Sequence, residues 1–172
     1  TFCASAFYEG TECGSAMAET ISGNVTVTIP LSEIHLWEAG AGRLYDLRLT
    51  FCEDKVSSYF GLREVKLDGY RFLINGKSVF QRLILDQGFY PDGIYTAPSD
   101  EALENDIRLS MAAGFNGARL HQKVFEPRFL YHCDRLGYLA WGEMANWGFD
   151  HSSYSGYEAF IPEWIQAIER DF

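Results

Sequence analysis

The sequence is poor in basic residues and has no long apolar run, and each shortage argues against a class of partner. Lysine and arginine together number 14 against 24 aspartates and glutamates, which gives a net charge of −10. Such a charge repels nucleic acid and anionic membranes, so we expect neither as a partner. No apolar run approaches the roughly 18 residues that a membrane-spanning helix needs.

Closely spaced cysteines are also missing. The four cysteines, Cys3, Cys13, Cys52 and Cys133, show no CxxC spacing. They are too sparse for a disulfide scaffold and lack the spacing of metal ligands. We therefore expect buried free thiols, with a Cys3–Cys13 disulfide as the alternative.

The first residues, Thr-Phe-Cys, include neither an initiator methionine nor a signal peptide. We interpret this start as that of a piece of a longer protein. Its compartment is left open.

The composition predicts a folded chain with one domain or two small ones. Of the 172 residues, 47% are hydrophobic and 22% are charged, which argues against disorder. Aromatic residues make up 16%. They are ordinary core material, although aromatic rings also form platforms for sugars.

The first part of the chain has the pattern of a β-sandwich. Apolar and polar residues alternate over residues 24–30 and 43–51, as in half-buried strands. Residues 17–22 fit either a helical turn or irregular structure. Asn75-Gly76 predicts a type I′ hairpin between strands 71–74 and 77–80. We place the domain boundary near residues 65–69, which gives domains 1–66 and 67–172.

The second part has the pattern of parallel βαβ units. Short buried strands are predicted over residues 79–86, 115–121 and 138–143, with helices between them. Ser99 is the expected N-cap of the first helix and Gly114 its stop. The second helix begins at Pro127 and stops at Gly137.

The apolar faces of the helices follow the helical period. A third helix begins around Tyr157 or Pro162. The residues expected to face inward are Leu103, Ile107 and Met111 on the first helix, Phe129, Leu130 and Cys133 on the second, and Trp164, Ile165, Ile168 and Phe172 on the third.

Each predicted parallel strand ends in polar side chains. Asp86, Arg119, His121 and Glu143 should meet at the carboxyl end of the sheet, where β/α barrels place their chemistry. Arg, His, Gln and Lys crowd the end of the middle strand, and burying them without partners is costly. A ligand or a network of carboxylates must satisfy them.

Each of these residues also has a structural interpretation. Asp86 could pair with an arginine or cap the following loop, and Glu143 could form an ion pair with Arg119. Trp141 and Trp147 flank Glu143 and could stack on a sugar or simply pack. We expect Asn116 to hydrogen-bond a strand end and Asp106 to face outward.

The motifs of the chain, taken in order, resemble glycoside hydrolase family 2, which contains β-galactosidases, β-glucuronidases and β-mannosidases. YFGLR at residues 59–63 resembles the family's FG-x-R segment, and FLINGK at residues 72–77 resembles its F-x-x-NGK hairpin. Further matches, in the family's order, are Leu36-Trp37, Leu44-Tyr45, Asp106-Ile107, Asn116-Gly117-Ala118-Arg119 and CDRLGY at residues 133–138. The similarity covers about residues 25–145.

The resemblance implies an immunoglobulin-like β-sandwich followed by a (β/α)₈ barrel, of which about three βα units are present. It also implies retaining hydrolysis of β-glycosides by two glutamates. In the family one glutamate follows barrel strand four and the other lies on strand seven, so both should lie beyond Phe172. Glu143 matches the family's strand-three glutamate, a pocket or metal-site residue in some members.

Two segments depart from the family pattern. The family usually reads T-S-H-Y-P after the strand-two arginine and N-R-H-E after strand one. This chain reads Leu120-His121-Gln122-Lys123-Val124 and Leu85-Asp86-Gln87-Gly88. In the first of them, either the histidine is shifted by one position or Gln122 stands in its place. Both departures touch the substrate rim; they indicate a divergent subgroup whose specificity need not be for galactosides.

We therefore predict an interior fragment of a β-glycosidase that contributes one wall of a sugar pocket and is inactive alone. It would bind a carbohydrate substrate, need the rest of its parent chain and be prone to self-association. The predicted substrate-binding residues are Asp86, Arg119, His121, Gln122, Glu143, Trp141 and Trp147.

Two alternatives remain open at the level of sequence. One is a non-catalytic carbohydrate-binding or interaction module. The other is a metal-dependent barrel hydrolase that uses Asp86, His121 and Glu143. We expect no cofactor; a divalent cation near Glu143 is a further option, with weak support because the ligand spacing matches no known metal motif.

Overall fold

The computed structural model describes residues 1–19, 23–145, 158 and 160–171. The chain divides into two compact units, Thr1–Val79 and Phe80–Phe172. No helix in the described ranges is both long and apolar enough to cross a bilayer. All four cysteines are free thiols, so the alternative of a Cys3–Cys13 disulfide is wrong. Cys13 and Cys133 are buried as expected, but Cys3 is only half-buried and Cys52 is exposed.

The first unit contains an antiparallel sheet of four strands. These are β1 (Phe2–Tyr8), β2 (Thr11–Ala18), β3 (Tyr45–Phe51) and β4 (Asp54–Phe60), in the order β2-β1-β3-β4. Ala4, Ala6 and Tyr45 are buried at alternate positions of their strands. Strand β3 confirms the alternation seen over residues 43–51.

The strand predicted over residues 24–30 is wrong, since these residues pair in no strand ladder. The segment instead lies close against β2. Pro30 O is only 2.3 Å from the place where a Cβ on Gly14 would lie. Met17 belongs to β2 and not to a helical turn; residues 20–22 lie outside the described residues.

A second, three-stranded antiparallel sheet completes the first unit. It contains β5 (Val65–Asp68), β6 (Arg71–Ile74) and β7 (Lys77–Ser78). Asn75 and Gly76 have φ values of 51° and 75°, which confirms the type I′ hairpin. The Asn75 amide donates to Trp37 O and accepts from Glu64 N, both at 2.9 Å. These contacts place the hairpin in the first unit.

The second unit is built on a parallel sheet. Its strands are β8 (Leu83–Asp86), β9 (Gly117–Leu120) and β10 (Leu139–Gly142), and β9 lies in the middle. This confirms three neighbouring strands that run the same way, although each is shorter than predicted. Asn116 fastens the start of β8: its amide accepts from Arg82 N at 2.7 Å and donates to Phe80 O at 2.9 Å.

Helices α1 (Asp100–Ala112) and α2 (Pro127–Leu136) connect these strands. Ser99 Oγ accepts from Ala102 N at 3.3 Å, which confirms the predicted N-cap. Gly114 and Gly137 follow the two helices with φ values of 93° and 72°, a left-handed conformation that glycine adopts without strain. The predicted helix ends are therefore confirmed.

One face of the parallel sheet is covered by α1 and α2. Ala118 and Leu120 of β9 are buried there against residues that include Leu103, Ile107 and Phe129. Tyr138 and Ser110 share a buried hydrogen bond of 2.6 Å. The opposite face of the sheet carries the other residues of each strand, and it forms the candidate site.

The third helix, α3 (Ile161–Asp171), begins within the predicted range. Its apolar residues Trp164, Ile165 and Ile168 are 43%, 50% and 46% exposed, so the inward face predicted for them is not buried among the described residues. Tyr157 and Phe172 lie outside the described residues.

Candidate functional site

An open cleft lies on the face of the parallel sheet that the helices leave uncovered. The strand register places Leu85 and Trp141 on either side of Arg119. Leu85 and Trp141 are 56% and 55% exposed. The cleft has a volume of about 490 Å³ and is lined by Leu83, Ile84, Leu85, Arg119, Trp141 and Glu143.

Gly117 lies two residues before Arg119 on the same face of β9, at the bottom of the cleft. A Cβ at Gly117 would lie 2.5 Å from Leu83 Cδ2 and 2.5 Å from Leu139 O. Any side chain on the central strand would therefore clash with both neighbouring strands at this level. The leucine side chains of the outer strands close this space instead.

An ion pair between Arg119 and Glu143 is the main polar feature of the cleft. Arg119 Nε donates to Glu143 Oε1, and Gln122 N donates to Glu143 Oε2 at 3.2 Å. Burial would raise the pKa of Glu143, but these two hydrogen bonds outweigh it and the pKa is lowered. Glu143 is therefore an ionised hydrogen-bond acceptor at neutral pH. The predicted Arg119–Glu143 ion pair is confirmed.

His121 lies beside this pair and is held by Gln87. Gln87 Nε2 lies 2.9 Å from His121 Nδ1, and His121 N donates to Asp86 O at 2.7 Å. An amide NH₂ can only donate, so Nδ1 accepts and the neutral imidazole carries its proton on Nε2. When the His121 ring is protonated, its positive charge further lowers the pKa of Glu143.

Gln87 is a functional candidate that the sequence reasoning missed. The sequence could have indicated it, because Gln87 lies two residues after Leu85 and alternate residues of an extended chain lie on the same face. Gln122, which was predicted, reaches Glu143 through its backbone N–H. Gln122 has a φ of 57°, so the chain turns sharply just after β9.

Asp86 lies apart from these residues. It pairs in register with the buried Leu120 on the side of the sheet that faces the helices. Its Oδ1 accepts from Gly88 N at 2.8 Å, as the loop-capping interpretation predicted. Burial raises its pKa, with a further rise from Asp106 and an opposing effect from Lys123. The structure thus joins Arg119, His121, Gln122, Trp141 and Glu143, but not Asp86.

Lys123, which follows β9 as well, forms no ion pair with a carboxylate of the described residues; its ammonium group is bound by backbone carbonyls and aromatic rings. Its Nζ donates to Tyr95 O at 2.8 Å and to Gly88 O at 3.2 Å. It also lies over the rings of Tyr95 and Phe125, 5.3 Å and 4.9 Å from their centroids.

Of the other predicted residues, Asn116 makes the expected hydrogen bonds to the start of a strand. The Asp106 carboxylate accepts a hydrogen bond from the Tyr90 hydroxyl at 2.7 Å. Trp147 lies outside the described residues.

The residues suggested for a metal site do not gather. No group of three or more potential metal-ligating side chains occurs in the part of the chain that the structure describes. Asp86, His121 and Glu143 are all in that part. The metal-dependent alternative therefore has no site built from these three residues.

The chain thus has a β-rich unit followed by parallel βα units, with a polar cleft at the carboxyl ends of the parallel strands. Comparison with known proteins then agrees with the resemblance to glycoside hydrolase family 2. No family model matches the chain. It is 26% identical over 142 residues to a β-galactosidase of Arthrobacter sp. (strain B7), an alignment that spans 81% of this chain and 14% of that protein.

Solved structures of β-glucuronidases share the fold. The structure of Bacteroides uniformis β-glucuronidase 3 matches 99% of this chain with a TM-score of 0.83 and 20% identity. The Faecalibacterium prausnitzii β-glucuronidase matches 81% with a TM-score of 0.66 and 29% identity. The chain spans 22% and 23% of these two structures. It is thus similar to part of the β-glycosidases of family 2.

Proposed function

We propose that this chain forms one wall of the sugar-binding pocket of a retaining β-glycoside hydrolase. The observation that carries the proposal is the Arg119–Glu143 pair beside the half-exposed ring of Trp141, in a cleft at the carboxyl ends of parallel strands. In β/α barrels this end of the sheet holds the active site. The similarity to β-galactosidases and β-glucuronidases supports a glycoside as the ligand.

The chemistry of the cleft suits a polyhydroxylated ring. Glu143 accepts hydrogen bonds, Arg119 and His121 Nε2–H donate them, and the Trp141 face can stack on the apolar side of a pyranose. The guanidinium of Arg119 is already matched by a carboxylate. This favours a neutral sugar such as a β-galactoside over an anionic β-glucuronide.

Glu143 is proposed as a binding residue and not as the acid of the reaction. A general acid at neutral pH needs a raised pKa, whereas that of Glu143 is lowered by its two hydrogen bonds. We propose that the proton donor and the nucleophile are supplied by the remainder of a longer protein. Gln122 and Trp147 stay proposed as further substrate residues. We do not propose this role for Asp86, because its side chain lies on the helix-facing side of the sheet and binds Gly88 N.

Binding and turnover by the purified chain test this proposal separately. Nitrophenyl β-galactoside and nitrophenyl β-glucuronide are titrated by calorimetry, and release of nitrophenol is followed with the same samples. We expect weak binding that favours the galactoside, and no turnover. Hydrolysis by the chain alone would refute the proposal that the proton donor and the nucleophile lie in the remainder of a longer protein.

The matched pair of variants is W141A and W164A. Both remove a tryptophan that is about half exposed in the second unit, but only Trp141 lines the cleft. Loss of a stacked ring should weaken binding roughly tenfold in W141A, while W164A binds as the parent does. Equal binding by both variants would place the ligand elsewhere and defeat the proposal.

A further inference from the structure

Lys123 joins the loop after β8 to the loop after β9. Its Nζ lies 2.8 Å from Tyr95 O and 3.2 Å from Gly88 O, two carbonyls of the first loop, while Lys123 itself belongs to the second. The rings of Tyr95 and Phe125 lie within 5.3 Å and 4.9 Å of the ammonium. Two carbonyl dipoles and two aromatic faces thus hold one cation between the loops.

Gly88 makes this arrangement sterically feasible. A Cβ at this residue would lie 2.7 Å from Lys123 Nζ and 3.1 Å from Phe125 Cζ. Gly88 has a φ of 61°, a conformation that a side chain would also strain. The bare backbone therefore lets the ammonium reach the carbonyl of Gly88.

Gly88 is held from its other side as well. Its N–H donates to Asp86 Oδ1 at 2.8 Å. Asp86 and Lys123 therefore bind the two polar groups of a single residue. We name the set of Asp86, Gly88 and Lys123 the loop clasp.

Gln87 lies between two members of the loop clasp. Its backbone is fixed by Asp86 on one side and by Gly88 on the other, and Asp86 O also accepts from His121 N at 2.7 Å. Its side chain reaches His121 Nδ1 at 2.9 Å. The clasp thus sets where the amide of Gln87 meets the imidazole.

We infer that Asp86 and Lys123 are positioning residues, which hold Gln87 so that it keeps the His121 imidazole beside Glu143 with its proton on Nε2. Lys123 itself contacts neither Arg119 nor Glu143. The tautomer of the His121 imidazole can be measured without any ligand, whereas an effect on sugar binding rests on the proposed function.

Nitrogen-15 NMR of the imidazole tests the inference directly, because protonated and bare ring nitrogens have different chemical shifts. In the parent chain, neutral His121 should show a bare Nδ1 and a protonated Nε2, with H121N assigning the signals. In K123M the two shifts should move toward a mixture of tautomers. K123R, which keeps a cation and its donors, should restore the parent pattern in large part.

Two further variants separate the steps. Q87L removes the amide donor but leaves the loop clasp, so it should relax the His121 ring to the tautomer mixture of a free histidine, while the Gly88 amide, still bonded to Asp86, exchanges at the parent rate. K66M removes an exposed lysine of the first unit and should change nothing. If K123M loses the dispersed amide spectrum of a folded chain, D86A makes the same test from the other side of Gly88.

Unchanged ring-nitrogen shifts in folded K123M or D86A would overturn the inference. A change in Q87L alone would leave the Gln87–His121 bond standing without a role for the clasp. Titration with nitrophenyl β-galactoside should show binding weakened roughly threefold to tenfold in both K123M and Q87L, the effect of misplacing one hydrogen bond. Failure of the parent chain to bind would refute the proposed function, while the nitrogen shifts would still decide on the clasp.

Discussion

The buried hydrogen bond between Ser110 and Tyr138 predicts an unequal response to removing either partner. Ser110 is 6% exposed and Tyr138 3%, and their hydroxyl oxygens are 2.6 Å apart. Burial raises the pKa of Tyr138 to about 12, so its hydroxyl is neutral and can donate. The bond joins α1 to the residue that leads into β10, the strand of Trp141.

The two single variants leave different groups behind. In Y138F the Ser110 hydroxyl can turn to the carbonyl four residues earlier in its own helix, so we expect a loss of about 1 kcal/mol. In S110A the Tyr138 hydroxyl has no such local acceptor and stays buried. The unpaired group should cost about 2 kcal/mol, after about 0.5 kcal/mol is regained from the helix propensity of alanine.

The double variant S110A/Y138F leaves no polar group unpaired and should cost about 1 kcal/mol or less. The coupling energy between the two sites is therefore about 2 kcal/mol. The change in helix propensity is the same with or without the phenol, so it cancels from the coupling.

Hydrogen exchange of the Ala118 and Leu120 amides is the appropriate assay. These residues are buried in the second unit, whereas a melt of the whole chain would mix the two compact units. Equal losses in the two single variants, or costs that simply add in the double variant, would refute this account of the core.

Two further predictions concern the sheet and the cleft. N116A removes both amide bonds that fasten β8 and should lower the free energy of opening at the Ala118 amide by about 2 kcal/mol; N116D keeps the acceptor for Arg82 N but turns a carboxylate oxygen toward Phe80 O, so it should not restore the parent value, and an unchanged opening free energy in N116A would contradict this. The folded-state pKa of Glu143 is lowered, so its contribution to stability is complete above the unfolded pKa near 4.3 and is lost as the pH falls through the folded value. E143Q should remove that part of the acid dependence, worth about 1 kcal/mol or less because Arg119 is half exposed; an unaltered pH profile of exchange would show that the pair contributes nothing.

Local signals in the sequence predicted the second unit well. Ser99, Gly114 and Gly137 act at the positions where helix caps need them, and these are effects of single residues on their own backbone. The three parallel strands could be predicted because a short, continuous apolar run between two helices is typical of a strand in a parallel sheet. Their polar ends followed from the same pattern.

The first unit was harder to predict for a physical reason. Strand β1 buries Ala4 and Ala6, small residues that give little hydrophobic alternation, so its pattern is weak. Residues 24–30 alternate strongly but form no ladder, because alternation reports an extended chain with one buried side and not the pairing of its backbone.

The separation of Asp86 from the cleft also lay beyond strand-level reasoning. The expectation placed all strand-end groups together, but neighbouring residues of a strand point to opposite faces. Leu85 and Arg119 share one face, and Asp86 and Leu120 share the other. Whether a residue at the rim enters the cleft thus depends on a shift of one position.

The glycine at the middle of the parallel sheet makes the depth of the cleft adjustable. With no side chain on Gly117, the outer strands alone set how far a ligand could descend, through Leu83 and Leu139. Shortening Leu83 to valine would enlarge the bottom of the groove without disturbing any polar group above it. A protein engineer could therefore enlarge the space beneath Arg119 while leaving the Arg119–Glu143 pair as it is.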